Sequence, residues 1–381
     1  MKILQIGSYP LDASIIRGGV ESSVYGLAQE QRKSHDVVVL DIPRKGIADA
    51  VERDRNLTVY RFVNSGPHQV DACGRIPDMM DVILKERPDI CHIHGTGIFS
   101  YNLFKALKKG GQRAVVTVHG LANIEKKKEL ERKFSVKTLF QLYTQTKAEK
   151  GLLNLADKVI VDTEYVAGVL ADYHLRFPPD VTIIPQGINN RFFSLSCSES
   201  TKEVLSVGTF SRRKGHLLLI RAFEKTCDEV KNAHLTICGA MTDSVYYSEI
   251  ETYLSLSKHK DRITLVSGVS EKELDRLYER AHVFALHSQE ESQGIVLAEA
   301  MAAGLPVVAT RVGGIPYVVG HRRTGLLSEY GDVKAFSNSL TELLKDDYLW
   351  NSMSRQCRSV AQDYSWDKIA SEVEKFYFSF E

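Results

Sequence analysis

The sequence lacks the features that mark membrane-spanning, disulfide-rich or nucleic-acid-binding chains. No apolar run approaches the ~18 residues that span a bilayer, and the opening MKILQIGSYP predicts a strand and a turn rather than a signal peptide. Charge of one sign is not in excess, since 49 Lys and Arg face 48 Asp and Glu, so nucleic acid is not an expected partner. Without any CxxC pair, the six cysteines are interpreted as structural thiols of a reducing cytosol.

Two common phosphate-binding motifs are also missing. The turn SVGTFSRRKGH (206–216) contains neither a Walker A sequence nor GxGxxG, which argues against a P-loop kinase or an ordinary NAD site. There is no low-complexity segment and no short repeat. What remains is a 381-residue chain, 43% hydrophobic and 25% charged, which is typical of a soluble globular protein with two domains.

Short apolar runs alternate with helix-period segments, and the alternation occurs twice. KILQIG, HDVVVLDI, DICHIHG, AVVTVHG, KVIVDTE and VTIIPQG form the first series, and EVLSVG, HLTICG, ITLVSG, HVFALHS and PVVAT form the second. Runs without polar alternation are typical of buried parallel strands. The sequence therefore predicts an α/β fold of two Rossmann-like, doubly wound parallel-sheet domains, 1–187 and 188–361, and a final amphipathic helix in 362–381.

Chemically useful residues cluster where the predicted strands end. Ligands of open α/β sheets bind beyond the carboxyl ends of the strands, so we expect a ligand in a cleft between the two domains. Arg212, Arg213 and Lys214 follow such a strand and precede a helix, which suits a diphosphate. A solvated basic turn is the alternative. Gly18 and Gly19 open another helix, where either a ligand approaches the backbone or the chain simply turns.

Three histidines lie near strand ends. His119 ends TVHG, where an imidazole can hydrogen-bond a sugar hydroxyl or act as a base. His92 and His94 share one face of a strand, and with His119 they would supply three zinc ligands. No acidic residue is evident nearby to support the ligands of such a zinc site, so packing or ordinary hydrogen bonding is the favoured interpretation of His92.

The stretch HSQEESQGIVLAEAMAAG (287–304) contains the sharpest signal. Its helix is predicted to begin near Gly294, which leaves Glu291 in the preceding loop and Glu299 inside the helix. A carboxylate on an Ala-rich, closely packed helix needs a polar partner, and a ribose diol supplies two hydroxyl donors. The amides around Gly294–Val296 suit phosphate. Two solvated glutamates are the alternative, and Glu290 is expected to face solvent or to lie behind Glu291.

Taken together, these motifs resemble the GT-B retaining glycosyltransferases of family four over essentially the whole chain. The resemblance rests on Glu291-SQGIVLA-Glu299-AMAAGLPVVATRVGG, with GGV, TVHG, PQGIN, KGH and RTGLL in the same order. It implies a retaining transfer from a nucleotide-diphosphate sugar without a bound metal or other cofactor. The final helix would return to the N-terminal domain.

The resemblance also assigns roles to residues. Lys214 would contact the diphosphate, Glu299 the ribose and Glu291 the donor sugar, and His119 would lie beside the transferred sugar. The predicted catalytic residues are His119, Lys214 and Glu291. The predicted donor-binding residues are Gly18, Gly19, Thr209, Arg213, Lys214, Glu291, Gly294, Ile295, Val296 and Glu299.

Some positions depart from the family pattern. Thr209 stands where the family usually has an arginine, so Arg212 or Arg213 would have to supply that charge. Asn189 replaces a common aspartate, and ESQG replaces the frequent EGFG beside the donor sugar. These departures bear on the identity of the donor more than on the reaction class.

The predicted activity is that of a hexosyl- or N-acetylhexosaminyltransferase, with a UDP-sugar favoured as donor and a GDP-sugar next. The expected acceptor is a glycan or a lipid-linked molecule of a bacterial polysaccharide or lipopolysaccharide pathway. A sugar-nucleotide 2-epimerase of the same fold is the first alternative, and a non-catalytic nucleotide-sugar-binding protein is the second. Donor incubated without acceptor distinguishes them, because an epimerase would convert it.

The segment 123–150 carries eight Lys or Arg and four Glu, interleaved with aromatic and aliphatic residues. Phe134, Leu139, Phe140, Leu142 and Tyr143 could form the apolar side of an interfacial helix that seeks anionic lipid. A solvated helix face is the equal alternative. The expected location is therefore the cytoplasm, with peripheral contact at the inner face of the membrane if the first interpretation holds.

Overall fold

The computed structural model describes residues 1–13, 18–42, 48–64, 66, 69–121, 124, 135–197 and 201–379. The chain divides into two compact units, Met1–Gly187 with Trp366–Glu381, and Ile188–Ser365. The second division lies at Trp366 rather than at the predicted residue 362. The cause is a short 3-10 turn, Gln362–Tyr364, whose Tyr364 carbonyl accepts a hydrogen bond from the amide of Ile188 at 2.9 Å.

The first unit is built on an eight-stranded sheet among the residues described. Its strands are β1 (Lys2–Gly7), β2 (Asp36–Asp41), β3 (Ala50–Asp54), β4 (Leu57–Arg61), β5 (Ile90–His94), β6 (Ala114–Val118), β7 (Lys158–Val161) and β8 (Asp180–Ile183). They follow the order β3-β4-β2-β1-β5-β6-β7-β8. The helices are α1 (Gly19–Gln31), α2 (Gln69–Ala72), α3 (Ile76–Glu86), α4 (Ile98–Lys109), α5 (Val136–Leu153), α6 (Glu164–Ala171) and, from the end of the chain, the helix Trp366–Phe378.

The second unit has a six-stranded sheet in which each pair of neighbours is parallel. Its strands are β9 (Glu203–Val207), β10 (His234–Cys238), β11 (Ile263–Val266), β12 (Val283–Leu286), β13 (Val307–Thr310) and β14 (Gly325–Ser328), in the order β11-β10-β9-β12-β13-β14. The helices are α7 (His216–Glu229), α8 (Ser244–Ser255), α9 (Glu271–Arg280), α10 (Ile295–Ala302), α11 (Ile315–Val318), α12 (Val333–Lys345) and α13 (Asp347–Ala361). The helix Trp366–Phe378 is hereafter α14.

The predicted class of two doubly wound α/β domains is confirmed, and the sheets add strands that the sequence did not reveal. The edge strand β3, AVERD, is exposed along its whole length and pairs antiparallel with β4. Its sequence carries no apolar run, in keeping with this exposure. The strand β14 is a buried run of four residues, GLLS.

Parallel strands bring the functional loops of each unit to one edge. The central strands β1, β5 and β6 are buried on nearly every residue because helices cover both faces of the sheet. The loops after β1, β5, β6 and β7 therefore meet in the first unit. Those after β9 and β12 meet in the second, since these two strands are parallel neighbours. The candidate residues lie in these loops.

Helix α14 is part of the core of the first unit. Trp366 is buried there with Ile3, Leu27 and Phe376. A Cβ added at Gly26 of α1 would lie 2.0 Å from Cε2 of Trp366. Helices α1 and α14 thus pack closely because residue 26 has no side chain.

Gly26→Ala is expected to lower the urea midpoint of unfolding, since overpacking a tight contact costs about 1–3 kcal/mol. Gly168→Ala is the matched control, because Gly168 is an exposed glycine within α6 and a Cβ there meets nothing within 4 Å. Alanine at such a helical position stabilises by about 0.4–1 kcal/mol. Equal midpoints for the two variants would refute the close approach of α1 and α14.

All six cysteines are free. Burial raises the pKa of Cys91 to about 12 and that of Cys238 to about 11, so both stay as unreactive thiols at neutral pH. Within the part of the chain that the structure describes, we find no helix with the length and apolar character needed to cross a membrane.

Candidate active site

Two loops of the second unit are tied together at the carboxyl ends of β9 and β12. The loop after β9 contains one turn of 3-10 helix, Arg212–Lys214. The amide of Gln289, after β12, donates to the carbonyl of Arg213 at 2.8 Å. The Arg213 guanidinium donates in turn to the carbonyl of Glu290 at 3.0 Å. The basic turn and the glutamate loop therefore form one structure.

Glu291 lies at the centre of this structure. Its Oε1 accepts from Nζ of Lys214 at 2.5 Å and from the hydroxyl of Ser288 at 2.7 Å. Its Oε2 lies 3.4 Å from Nη1 of Arg213. Burial alone would raise the pKa of Glu291, but Lys214 and Arg213 outweigh it and hold that pKa below its ordinary value. The carboxylate is therefore ionised at neutral pH, and it fixes both cations at this edge of the sheet.

Two glycines allow these loops to approach each other. A Cβ at Gly215, just after the basic turn, would lie 2.1 Å from the carbonyl oxygen of His287. A Cβ at Gly313 would lie 2.1 Å from the carbonyl oxygen of Glu291, which accepts a hydrogen bond from the amide of Gly314 at 2.8 Å. Both glycines have positive φ, +64° and +51°. A side chain at either position would displace Glu291.

The structure gives Arg212 and Arg213 different partners, whereas the sequence alone could not distinguish their roles. Arg213 contacts Glu291 and the adjoining carbonyl, whereas Arg212 pairs with Glu249 and lies 5.1 Å from the ring centroid of Tyr246. Thr209 is half-buried in the turn directly after β9. Arg213 is therefore the cation placed with Lys214 at the edge where Thr209 stands.

Helix α10 begins beside this cluster. Gly294 precedes its first residue, and the side chains of Ile295 and Val296 pack against the core of the second unit. These two residues offer a ligand their backbone amides, because the first N–H groups of a helix have no partner within it. Such amides favour an anion.

Glu299 lies within α10. The hydroxyl of Tyr278 donates to its Oε2 at 3.3 Å. Burial raises the pKa of Glu299 to about 7, although Arg191 and Tyr278 act in the opposite direction. The two glutamates therefore differ sharply, because Glu291 lies within reach of two cations, whereas Glu299 is half-buried and accepts its hydrogen bond from a neutral phenol.

Glu290 does not face solvent, contrary to the first of the two expectations for it. It is 5% exposed, and the carbonyl of the same residue accepts from Arg213. The loop turns inward at both glutamates because the glycine pair after β13 holds its backbone. Its position behind Glu291 agrees with the second expectation.

The remaining predicted residues belong to the first unit. Gly18 and Gly19 begin α1, and a Cβ at Gly19 would lie 3.2 Å from Oε1 of Gln186. His119 follows β6, with Nδ1 3.4 Å from Oδ1 of Asp162. Each predicted residue thus lies after the carboxyl end of a strand or in the helix that follows it. Three of them belong to this unit and the others to the second. Their roles toward a ligand stay predictions.

The three histidines hydrogen-bond within the protein. His94 Nδ1 lies 2.9 Å from Nε2 of His119, and His92 bonds Tyr377 at 2.7 Å and Thr117 at 2.6 Å. Burial lowers the pKa of His92 to about 3. Among the residues described, no group of three or more His, Cys, Asp or Glu could hold a metal ion. Hydrogen bonding is confirmed as the better interpretation of His92.

The basic segment is described only in part, because residues 123 and 125–134, including Phe134, lie outside the described residues. Within α5 a stripe of apolar side chains is exposed. Val136 is 73% exposed, Phe140 67% and Tyr143 64%, and Leu139 lies between them. Their spacing places them on one face of the helix. Leu142, by contrast, is half-buried.

The sequence did not indicate the groups that surround the predicted residues. Ser288, three positions before Glu291, holds that carboxylate, and Tyr278 and Arg191 face Glu299 across the fold. No local pattern reveals such partners. Asp162 is different, because it directly follows β7, and the strand-end rule that selected His119 would also have selected it.

Known proteins are similar to this chain in sequence. The family Glycosyl transferases group 1 matches residues 188–363, and Glycosyltransferase Family 4 matches residues 17–192. N-acetyl-alpha-D-glucosaminyl L-malate synthase of Bacillus anthracis is 29% identical over 79% of this chain and 77% of that enzyme. D-inositol 3-phosphate glycosyltransferase of Corynebacterium aurimucosum is 29% identical over 60% of this chain and 58% of that enzyme.

Solved structures show the same fold. Sucrose-phosphate synthase from Thermosynechococcus elongatus superposes with a TM-score of 0.83 at 21% identity, covering 100% of this chain and 99% of that one. Anabaena HepE in complex with UDP-glucose superposes with a TM-score of 0.74 at 16% identity, covering 100% of both chains. Two parallel-sheet α/β units and these structural neighbours define the GT-B fold. The chain belongs to the glycosyl transferases group 1 of glycosyltransferase family 4.

Proposed function

We propose that this protein transfers a sugar, with retention of anomeric configuration, from a nucleotide-diphosphate sugar to an acceptor hydroxyl. The arrangement of Lys214 and Arg213 around Glu291, directly before α10, carries the proposal. Two cations and the first amides of that helix suit a diphosphate. Glu299, further along the same helix, would accept hydrogen bonds from the ribose hydroxyls.

The proposed step is a substitution on one face of the sugar. The acceptor oxygen bonds to the anomeric carbon while the bond from that carbon to the β-phosphate oxygen breaks. The acceptor proton passes to the leaving diphosphate, whose charge Lys214 and Arg213 stabilise. The hydrogen bonds that Lys214 and Ser288 already make to Glu291 support a contact with the donor sugar rather than a nucleophilic role for this carboxylate.

A UDP-sugar is the favoured donor and a GDP-sugar the next. Support comes from proteins of the same fold, since HepE was solved with UDP-glucose, although starch synthase IV was solved with ADP. The name of the Bacillus anthracis relative supports a hexose or N-acetylhexosamine as the transferred sugar. A glycan or lipid-linked acceptor, and a bacterial polysaccharide or lipopolysaccharide pathway, complete the proposal.

The testing experiment is a thermal-shift series with UDP, GDP and ADP, followed by sugars of the nucleotide that binds. A ligand that binds only the folded state raises its apparent stability with concentration. We expect UDP to give the largest shift and a UDP-sugar to be consumed only when an acceptor is added. Epimerised donor without acceptor would instead establish a 2-epimerase, and absence of any shift would refute a nucleotide-diphosphate site.

Transfer is expected to proceed without a divalent ion, because Lys214, Arg213 and helix amides take over the charge stabilisation that a metal gives elsewhere. The measurement is the rate of sugar transfer after dialysis against EDTA, compared with the same protein supplied with Mg²⁺ or Mn²⁺. Equal rates are expected. Activity abolished by EDTA and restored by Mn²⁺ would overturn the metal-free proposal.

Helix α5 is proposed to contact an anionic membrane, which suits a lipid-linked acceptor. The exposed stripe of Val136, Phe140 and Tyr143 is flanked by the exposed Lys137 and Lys147. Apolar side chains that enter the headgroup boundary, with lysines beside anionic lipid, are typical of interfacial helices.

Phe140→Ser is expected to reduce sedimentation of the protein with vesicles that contain anionic lipid, since it removes a large apolar side chain from the exposed face. Phe378→Ser is the matched control, because Phe378 is 49% exposed at the end of α14, away from that stripe. Binding to anionic vesicles should weaken as salt increases. Sedimentation that is absent at low salt, or unaffected by Phe140→Ser, would refute the membrane contact.

A further inference from the structure

A chain of buried polar side chains connects α14 to His119 within the first unit. The hydroxyl of Tyr377 lies 3.1 Å from Nε2 of Gln5, and Oε1 of Gln5 lies 2.8 Å from Nε2 of His94. Nδ1 of His94 then lies 2.9 Å from Nε2 of His119. Gln5 and His94 are buried, at 0% and 3% exposure. At the two histidines, donor and acceptor depend on which ring nitrogen carries the hydrogen.

Gln5 determines the direction of these hydrogen bonds. Its Nε2 donates to Oε1 of Gln31 at 2.8 Å as well as to Tyr377, so its Oε1 accepts and Nε2 of His94 carries the hydrogen. Burial lowers the pKa of His94 well below its ordinary value, which leaves it a neutral imidazole with one hydrogen. Its Nδ1 is therefore an acceptor, and among the described residues the donor that reaches it is Nε2 of His119.

We propose that Gln5, acting through His94, is a positioning residue that keeps a hydrogen on Nε2 of His119. Nδ1 of His119 faces Oδ1 of Asp162 at 3.4 Å, and neither atom has another hydrogen-bond partner among the described residues. Asp162 is itself held by Nε2 of Gln186 at 2.7 Å. The titratable groups facing His119 are thus His92 and His94 on β5 and Asp162 after β7.

With its Nε2 hydrogen donated to His94 and its buried Nδ1 turned toward the Asp162 carboxylate, His119 presents no free ring nitrogen to an acceptor hydroxyl. His119 is then not the general base. Where it concerns catalysis, the inference rests on the proposed function. It deepens that function, because the acceptor proton must go to the leaving diphosphate if His119 cannot take it.

Histidine side-chain NMR tests the inference without any substrate. In ¹⁵N-histidine-labelled protein, His94→Asn and His119→Asn assign the two rings by loss of their signals. We expect His94 to be protonated on Nε2 only and His119 to be protonated on Nε2 at neutral pH. A proton on Nδ1 of His94, which corresponds to the Gln5 amide turned over, overturns the proposal.

Two variants distinguish a positioning role of Gln5 from a role in packing alone. Gln5→Met removes the acceptor that faces His94 and is expected to abolish the single tautomer of both rings. Thr117→Val is the control, because it removes the hydroxyl that bonds Nε2 of His92 at 2.6 Å and no link between Gln5 and His119. It should leave the His119 signals unchanged. If Gln5→Met unfolds the protein, Asp162→Asn serves instead, and it is expected to change the ¹⁵N chemical shift of His119 Nδ1, the atom that faces Asp162. Unchanged His119 signals in the folded variant, Gln5→Met or Asp162→Asn, refute the inference.

A transferase assay completes the test. Gln5→Met should lower kcat with little change in KM, and Thr117→Val should change neither. The expected tautomers without any transferase activity in the wild type would contradict only the proposed function. Transferase activity with a His94 hydrogen on Nδ1 would contradict only the inference.

Discussion

Lys214→Ala is expected to lower kcat by about 10²–10³-fold, the usual cost of removing one group that stabilises developing charge. Lys214 is the cation that lies closest to Glu291, and its side chain is only 11% exposed. Its charge acts in a poorly solvated site, where it interacts more strongly than at an open surface. The measurement is steady-state release of the nucleotide diphosphate in the presence of acceptor. Near-normal turnover would contradict the assignment of Lys214 to the diphosphate.

Arg212→Ala is the matched control, since it removes a neighbouring cation of the same turn. Arg212 pairs with Glu249, and its side chain is 43% exposed. A substitution at such a surface pair changes free energies by about 0.5 kcal/mol or less, so turnover should change by about twofold at most. A larger loss for Arg212→Ala than for Lys214→Ala would instead make Arg212 the functional cation.

A double variant separates lost catalysis from lost stability. Removing Lys214 leaves the buried carboxylate of Glu291 with only the more distant Arg213, and breaking a buried ion pair typically costs about 3–5 kcal/mol. Adding Glu291→Gln removes the unbalanced charge. We therefore expect the thermal midpoint of Lys214→Ala/Glu291→Gln to recover toward wild type while kcat stays low. Recovery of both would show that Lys214 acts only through stability.

The sequence was sufficient where the fold depends on local pattern. Continuous apolar runs located the central strands because both faces of those strands are covered. The spacing of Glu291 and Glu299 placed one glutamate in a loop and the other in a helix, since Gly294 marks the start of α10. Local patterns of this kind are readable because neighbours along the chain create them.

The sequence alone did not reveal features that depend on residues far apart along the chain. The inward position of Glu290 is set by Gly313 and Gly314, and the choice of Arg213 over Arg212 is set by Glu249 across the fold. The edge strand β3 is stabilised by pairing with β4 rather than by burial. Such outcomes require the three-dimensional arrangement, because nothing near these residues in sequence distinguishes them.

Donor affinity is expected to rise with pH and to level off above about pH 7, since burial raises the pKa of Glu299 to about 7. A protonated carboxyl cannot accept hydrogen bonds from both ribose hydroxyls. Below pH 7 affinity should therefore fall by about tenfold for each pH unit. Calorimetry should use a nucleotide sugar, because the terminal phosphate of a free nucleotide titrates near pH 6 and would confuse the profile.

Two variants identify Glu299 as the titrating group. Glu299→Gln should flatten the pH profile and weaken binding by about 10- to 100-fold, the range for hydrogen bonds to a charged group. Tyr278→Phe should move the inflection to higher pH, because the Tyr278 hydroxyl, 3.3 Å from Oε2 of Glu299, lowers the pKa of that carboxyl. An affinity that is constant from pH 5.5 to 8.5, or an inflection unmoved by Tyr278→Phe, would show that Glu299 does not hold the ribose as an ionised carboxylate.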